Sequence, residues 1–184
     1  GFGQQRAHPQ TPGKDIEYEI PLTLEELIHG TKKTITISQG SATNAIEVRI
    51  PKGVTKGKKI RLAGKGEPSP HGGPAGNLYI KSKPVATGEF SIDGNDVVLN
   101  KTITLTQALL GDKLEIPTPT GKTMNLTLPA GTKHKARMRL PGHGIPHMKG
   151  NGCGDLFVVI TIDMPKKLTD KQKKIIQELK ASGL

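Results

Sequence analysis

The sequence of 184 residues predicts a mainly β protein of two tandem β-sandwich-like domains, each with a short helix, plus a C-terminal helix. Three observations predict it. First, residues 46–68, IEVRIPKGVTKGKKIRLAGKGEP, align without a gap on residues 124–146, MNLTLPAGTKHKARMRLPGHGIP. Pro51 coincides with Pro129, Gly53 with Gly131, Arg61 with Arg139, Leu62 with Leu140, Gly64 with Gly142, Gly66 with Gly144 and Pro68 with Pro146. Second, apolar residues alternate with polar ones, as strands require: Ile46, Val48 and Ile50 share a face, and so do Ile60 and Leu62. Third, the match extends in both directions. TLEELIHG at 23–30 answers TLTQALLG at 104–111, and GNLYI at 76–80 answers GDLFV at 154–158. The resulting period exceeds the roughly 20–50 residues of a solenoid unit, so two domains in series are expected.

The elements follow in order. Residues 1–14, opening on Gly1-Phe2-Gly3 and running through polar residues to Pro12-Gly13, read as the end of a flexible linker from a longer chain. The first domain is expected over 15–83. It starts with a strand, IEYEI at 16–20, followed by a short helix. Thr23 and Glu26 have capping-box spacing there, and Gly30 suits a left-handed stop. The strand TKKTITIS at 31–38 leads out of the helix, residues 46–62 read as a hairpin through Pro51 and Gly53, and GNLYI closes the unit. The second domain, over 84–164, repeats this order with DVVLNKTITL at 96–105, a helix capped by Thr104 and Gln107 and stopped by Gly111, and KLEI at 113–116. Residues 165–184 form the C-terminal helix. Thr169 and Gln172 cap it, Gly183 ends it, and its narrow apolar stripe of Leu168, Ile175, Ile176 and Leu179 either docks on the second domain or meets another subunit.

Composition narrows the function. Lys and Arg number 27 against 16 Asp and Glu, a net charge of +11, which makes an acidic partner worth testing without naming one. With one cysteine, Cys153, the chain can form no internal disulfide and no Cys-rich zinc module, which fits a reducing, cytoplasmic setting. No apolar run reaches the roughly 20 residues that span a bilayer, so no membrane partner is expected. Trp is absent and aromatic residues are few, so the two small cores must be built from Ile, Leu and Val.

No local motif pairs a nucleophile with a base, and no glycine-rich phosphate loop opens a helix, so no enzyme is expected. His143, His147, Cys153 and Asp155 fall in one Gly-rich loop, which reads as a plain loop; no metal and no cofactor are expected. The informative difference lies between the repeats. TKKTITIS holds no proline, whereas GDKLEIPTPT is cut by Pro117 and Pro119, which remove ladder donors. A free edge in the first domain either takes an added strand from an extended peptide or is an ordinary edge kept soluble by Lys32 and Lys33.

Read together, DIEYEIPLTLEELIHGTKK, IPKGVTKGKKIRLAGKGEP, GGPAGNLYI, LPGHGIP and GDLFVVI, in this order, resemble the C-terminal client-binding region of DnaJ-type co-chaperones. The resemblance covers residues 15–182 and is to the subclass lacking the zinc module, the curved-DNA-binding relatives in particular. It makes the opening residues similar to the end of a Gly/Phe linker. The J domain is absent from this sequence, and His8-Pro9 is followed by Gln10 rather than completing a His-Pro-Asp motif. The resemblance implies two β-sandwich-like domains and an apolar client pocket on the first, lined by Ile16, Ile35, Ile37, Ile46 and Ile80. It also implies binding of the acidic C-terminal tail of a DnaK-type chaperone at Lys32 and Lys33, and homodimerisation at the C-terminal end through Ile175, Ile176 and Leu179. Unfolded polypeptides are then the expected clients. The alternative is sequence-tolerant DNA binding through Lys52, Lys56, Lys58, Lys59, Arg61 and Lys65, which have no interleaved aromatics for stacking.

Overall fold

The computed structural model describes residues 10–86 and 88–184; the remainder of the linker expected over 1–14 lies outside the described residues. Strand outweighs helix, 43% to 14%, so the chain is mainly β. The first half runs β1 (Ile16–Leu22), α1 (Leu24–His29), β2 (Thr31–Gln39), β3 (Ala42–Ile50), β4 (Lys59–Leu62) and β5 (Leu78–Pro84). The second runs β6 (Phe90–Asp93), β7 (Asp96–Thr104), α2 (Leu105–Leu110), β8 (Asp112–Pro117), β9 (Thr123–Leu128), β10 (Arg137–Leu140) and β11 (Leu156–Asp163), and α3 (Asp170–Ala181) follows.

Each half builds the same pair of sheets. In the first, β5 lies between β1, which it pairs in parallel, and β4, which it pairs antiparallel, while β2 and β3 form a separate two-stranded sheet. In the second, β11 lies between β7 and β10 in the same senses, β6 adds to the outside of β7, and β8 pairs with β9. The hairpin expected over residues 46–62 therefore does not form. β3 turns back on β2 through the two residues Gly40 and Ser41, with Gln39 opposite Ala42, and β4 belongs to the other sheet. A two-residue loop closes more cheaply than the eight residues between Ile50 and Lys59, and it keeps the apolar faces of both sheets turned to one core.

The repeated residues hold these sheets together. Arg61 donates to the side chain of Asn77 at 3.3 Å, and in the second half Arg139 donates to Asp155 at 2.6 Å. The N–H of Gly142 also donates to the Asp155 carboxylate, and these two donors, the backbone one first, hold its pKa below the usual range. The three helices among the described residues each start with a full capping box: Thr23 with Glu26, Thr104 with Gln107, and Thr169 with Gln172. Gly30 and Gly111 end the short helices at positive φ. Their ψ values of 169° and 162° lie outside the left-handed helical region, in a region essentially open to glycine alone. Residues 11–14, expected as linker, are tied down: the Ser69 hydroxyl donates to the Thr11 carbonyl, Gly13 N–H to Pro74, and Glu67 N–H to Lys14.

The core is aliphatic. Leu22, Leu27, Val48, Ile50, Leu78 and Ile80 are buried in the first half, and Val97, Leu99, Ile116, Leu128, Ile145, Leu156 and Ile160 in the second. The turn after Pro51 differs between the repeats. Gly53, Val54 and Thr55 are buried, whereas Gly131 and Lys133 are exposed and Thr132 is half-buried. The main chain of Pro146–Met148 from the second half lies against Gly53, so close that a methyl group placed there would sit 2.7 Å from the Met148 nitrogen; around Gly131 there is open space.

Candidate functional site

β2 pairs with β3 on one side only, so its other edge is free among the described residues. Burial alternates along it: Lys33, Ile35 and Ile37 turn inward, and Lys32, Thr34, Thr36 and Ser38 turn outward. Lys32 and Lys33 therefore lie on opposite faces of the strand. Adjacent strand residues point to opposite faces, and each lysine already meets an acid. Lys33 lies 3.0 Å from Glu26 and donates to the Pro21 carbonyl at 2.7 Å, while Lys32 is more exposed and 3.8 Å from Glu47.

Glu26 is a junction in this part of the fold. Burial raises the pKa of its carboxyl, but the Thr23 N–H, the Lys33 ammonium and the Thr23 side chain together outweigh burial and lower it. In the second repeat the corresponding amide, Gln107, accepts from Thr104 N–H and donates to Asp112, so the cap survives without a charge.

The five isoleucines expected to line a pocket fall on the inward faces of the two sheets of the first half. Ile35 lies opposite Ile46, and Ile37 opposite Asn44, in the two-stranded sheet. Ile16 and Ile80 lie in the three-stranded sheet, where the rows across β1, β5 and β4 read Ile16–Leu78–Leu62 and Tyr18–Ile80–Ile60. Ile35, Ile37 and Ile80 are buried to 4%, 4% and 1% exposure, as core residues are. Ile16 and Ile46 are half-buried, and so are Tyr18, Ile60 and Leu62, which the sequence reading did not assign to the pocket. Their signal was present as strand alternation, but alternation separates the inward face from the outward one and does not say where along that face two sheets part.

On the outer face at the start of β2, a depression of about 410 Å³ is lined by His29, Gly30, Thr31, Lys32, Arg49, Ile50, Pro51 and Lys52. At the far end, none of the α3 residues is buried, and Ile175, Ile176 and Leu179 are 52%, 45% and 42% exposed. Leu109, Leu110 and Met164 in the second half are exposed as well. No group of three or more metal-ligating side chains occurs among the described residues, and no described helix is long and apolar enough to cross a membrane.

A duplicated β unit, with one short capped helix after β1 in the first copy and after β7 in the second, defines the class. Residues 16–165 match the DnaJ C terminal domain, and the chain belongs to that family. It is 43% identical over 137 residues to the chaperone protein DnaJ of Leptospira biflexa, and 41% identical over 136 residues to those of Listeria welshimeri and Listeria monocytogenes. These matches cover 72%, 74% and 74% of this chain, and the chain spans about 36% of the length of the curated relatives it matches.

Proposed function

We propose that this chain is the client-binding region of a DnaJ-type co-chaperone, holding extended apolar polypeptide by strand addition for transfer to a DnaK-type chaperone in the cytoplasm. The free edge of β2 beside a half-exposed apolar face carries this reading. An extended segment adds main-chain hydrogen bonds to the edge, and its alternate side chains turn toward Ile16, Tyr18, Ile46, Ile60 and Leu62. Ile35, Ile37 and Ile80 form the floor beneath them. One buried Leu-sized side chain contributes about 2 kcal/mol and each strand hydrogen bond about 1 kcal/mol. Ordering the peptide removes much of that, so single-site binding is micromolar or weaker.

The functional division is residues 15–83 for the client, 84–164 as a second domain, and 165–184 for self-association. The exposed Ile175, Ile176 and Leu179 of one copy pack against a second copy, giving a homodimer whose two grooves act on one client through effective concentration. The acidic tail of the DnaK-type partner arrives at the root of β2, around Lys32 and Lys33. The single cysteine of this chain, too few for a four-cysteine site, supports assignment to the subclass without a zinc module.

The test is a titration of the chain with a labelled extended apolar peptide and with labelled duplex DNA at physiological salt. Peptide binding that persists while DNA binding vanishes is expected. The reverse result replaces the client reading with nucleic-acid binding through Lys58, Lys59 and Lys149, which line one basic cleft.

A further inference from the structure

The two halves differ along the outer edge of one strand. In the second half β6 runs antiparallel along β7, with Phe90 opposite Leu99, Ser91 opposite Val98, Ile92 opposite Val97 and Asp93 opposite Asp96. In the first half β1 holds the place of β7, since Ile16 meets Leu78 as Val97 meets Leu156, but among the described residues no strand lies on its outer edge. The apolar side chains register the difference. Val97 and Leu99, flanked by β6, are 0% exposed, whereas their counterparts Ile16 and Tyr18 are half-buried.

The open edge has definite ends. Gly94-Asn95, which turn β6 back along β7, correspond to Gly13-Lys14, and these run instead into the loop of residues 66–76: Gly13 N–H donates to Pro74, and the Lys14 carbonyl accepts from Glu67. At the other end the Pro21 carbonyl is taken by Lys33 and the Leu22 carbonyl by Val85 N–H. Between them, the main chain of residues 17–20 makes no hydrogen bond beyond the ladder to β5 among the described residues. On its outward face stand Glu17 and Glu19, with side chains 60% and 56% exposed although Lys59 and Lys81 pair with them from farther into the sheet. β7 carries Val98 and Asn100 at these two positions.

We propose that the outer edge of β1 is a docking slot for a short strand of a partner protein that alternates basic and apolar residues. The strand runs antiparallel in the register of β6, with a basic residue opposite Glu19, an aromatic one opposite Tyr18, a basic one opposite Glu17 and an aliphatic one opposite Ile16. Opposite charges directly across a ladder stabilise it and like charges destabilise it. That rule also disfavours a second copy of β1, because antiparallel pairing about Tyr18 would set Glu17 against Glu19. The slot is separate from the β2 edge and independent of the client reading: in the second half the corresponding edge of β8 stays open beside β6 among the described residues. With both ends closed, the slot reads a short motif in one register, whereas the β2 edge takes extended apolar segments at large.

The experiment titrates the intact chain with fluorescent peptides that carry Lys-Phe-Lys-Ile, Ser-Phe-Ser-Ile or Glu-Phe-Glu-Ile between identical Gly-Ser flanks. Non-specific attraction to a chain of net charge +11 favours the acidic peptide, so a preference for the basic one reports the row of Glu17 and Glu19. Expected is tighter binding of the basic than of the acidic peptide by about three- to tenfold. Exchanging the charges of one ion pair, Glu17→Lys with Lys59→Glu, keeps the net charge but reverses the edge, and should bring the two peptides to about equal affinity. Thr34→Lys, which adds a cation to the outward face of β2, should leave the preference in place. Equal binding of all three peptides by the parent overturns the proposal, as does a preference that survives the exchange or vanishes with Thr34→Lys. If the exchange alters the mass seen by light scattering and not peptide binding, the edge pairs copies of this chain and the proposal falls. Each of these failures leaves the client reading to its own titration of apolar peptide against DNA.

Discussion

Gly53 and Gly131 offer a matched pair of substitutions that isolates the joint between the two halves. Their φ values are +77° and +76°, so alanine at either position meets the same left-handed strain, about 1 kcal/mol. Their surroundings differ. An alanine methyl at Gly131 enters open space, whereas at Gly53 it meets the main chain of Pro146, His147 and Met148, backbone that cannot swing aside like a side-chain tip. The second half must then back away, uncovering Val54, which is 1% exposed in the intact chain. Exposing a valine costs roughly 1.5 kcal/mol. Gly131→Ala should therefore lose about 1 kcal/mol and Gly53→Ala about 2.5 kcal/mol in urea unfolding. Limited trypsin digestion gives an independent reading, since Lys52, Lys56 and Lys58 flank the covered turn: Gly53→Ala should be cut there sooner and Gly131→Ala should not. Equal losses of stability with equal cleavage would refute the argument, because the Pro146–Met148 loop would then not be seated on that turn.

Ile37→Ser places a hydroxyl in a site that is 4% exposed, so it should cost about 2–4 kcal/mol of stability as well as weakening peptide binding; an unchanged urea midpoint would show that Ile37 faces an open pocket. Deleting residues 168–184 should halve the mass seen by light scattering, and a monomeric mass for the intact chain would remove the dimer. Because the Glu26 carboxyl is held below its ordinary pKa in the folded state, its contribution is complete at neutral pH and is lost as pH falls through the lowered value, so Glu26→Gln should flatten the acid limb of the stability profile. Identical acid limbs for Glu26→Gln and the parent would show that the Thr23–Glu26–Lys33 contacts contribute nothing measurable.

What the sequence revealed and what it hid divide along a physical line. The helix starts were legible because a capping box is local: Thr and Glu or Gln three residues apart satisfy the first N–H groups wherever the helix lies. The repeat exposed the duplication because Arg61 and Arg139, with the glycines after them, do the same job in both halves. Pairing was not legible. The alternation of Ile46, Val48 and Ile50 fits β3 equally well against β2 or β4, and the choice depends on which loop is shorter and which sheet needs the apolar face. β6 escaped notice although Gly94-Asn95 between FSID and DVVL is a two-residue hairpin signal. The family resemblance assigns one acidic ligand to Lys32 and Lys33, neighbours in sequence, whereas the strand turns them to opposite faces. Arg49 went unnoticed for the converse reason: it is distant in the chain and is brought opposite Lys32 only by the register of the hairpin.

The parallel pairing of β1 with β5, and of β7 with β11, governs how this chain comes into being. In each half a strand made early waits for the last one: Ile16 of β1 meets its partner only when Leu78 exists, and Val97 of β7 meets its parallel partner only when Leu156 does. The β2–β3 hairpin, closed by two residues, forms locally and early, while the central ladder closes late and spans nearly the whole unit, the kind of distant contact that slows folding. On the ribosome, then, each half spends its synthesis as an open chain with its inward isoleucines and leucines uncovered, and it shuts in one step when its final strand emerges.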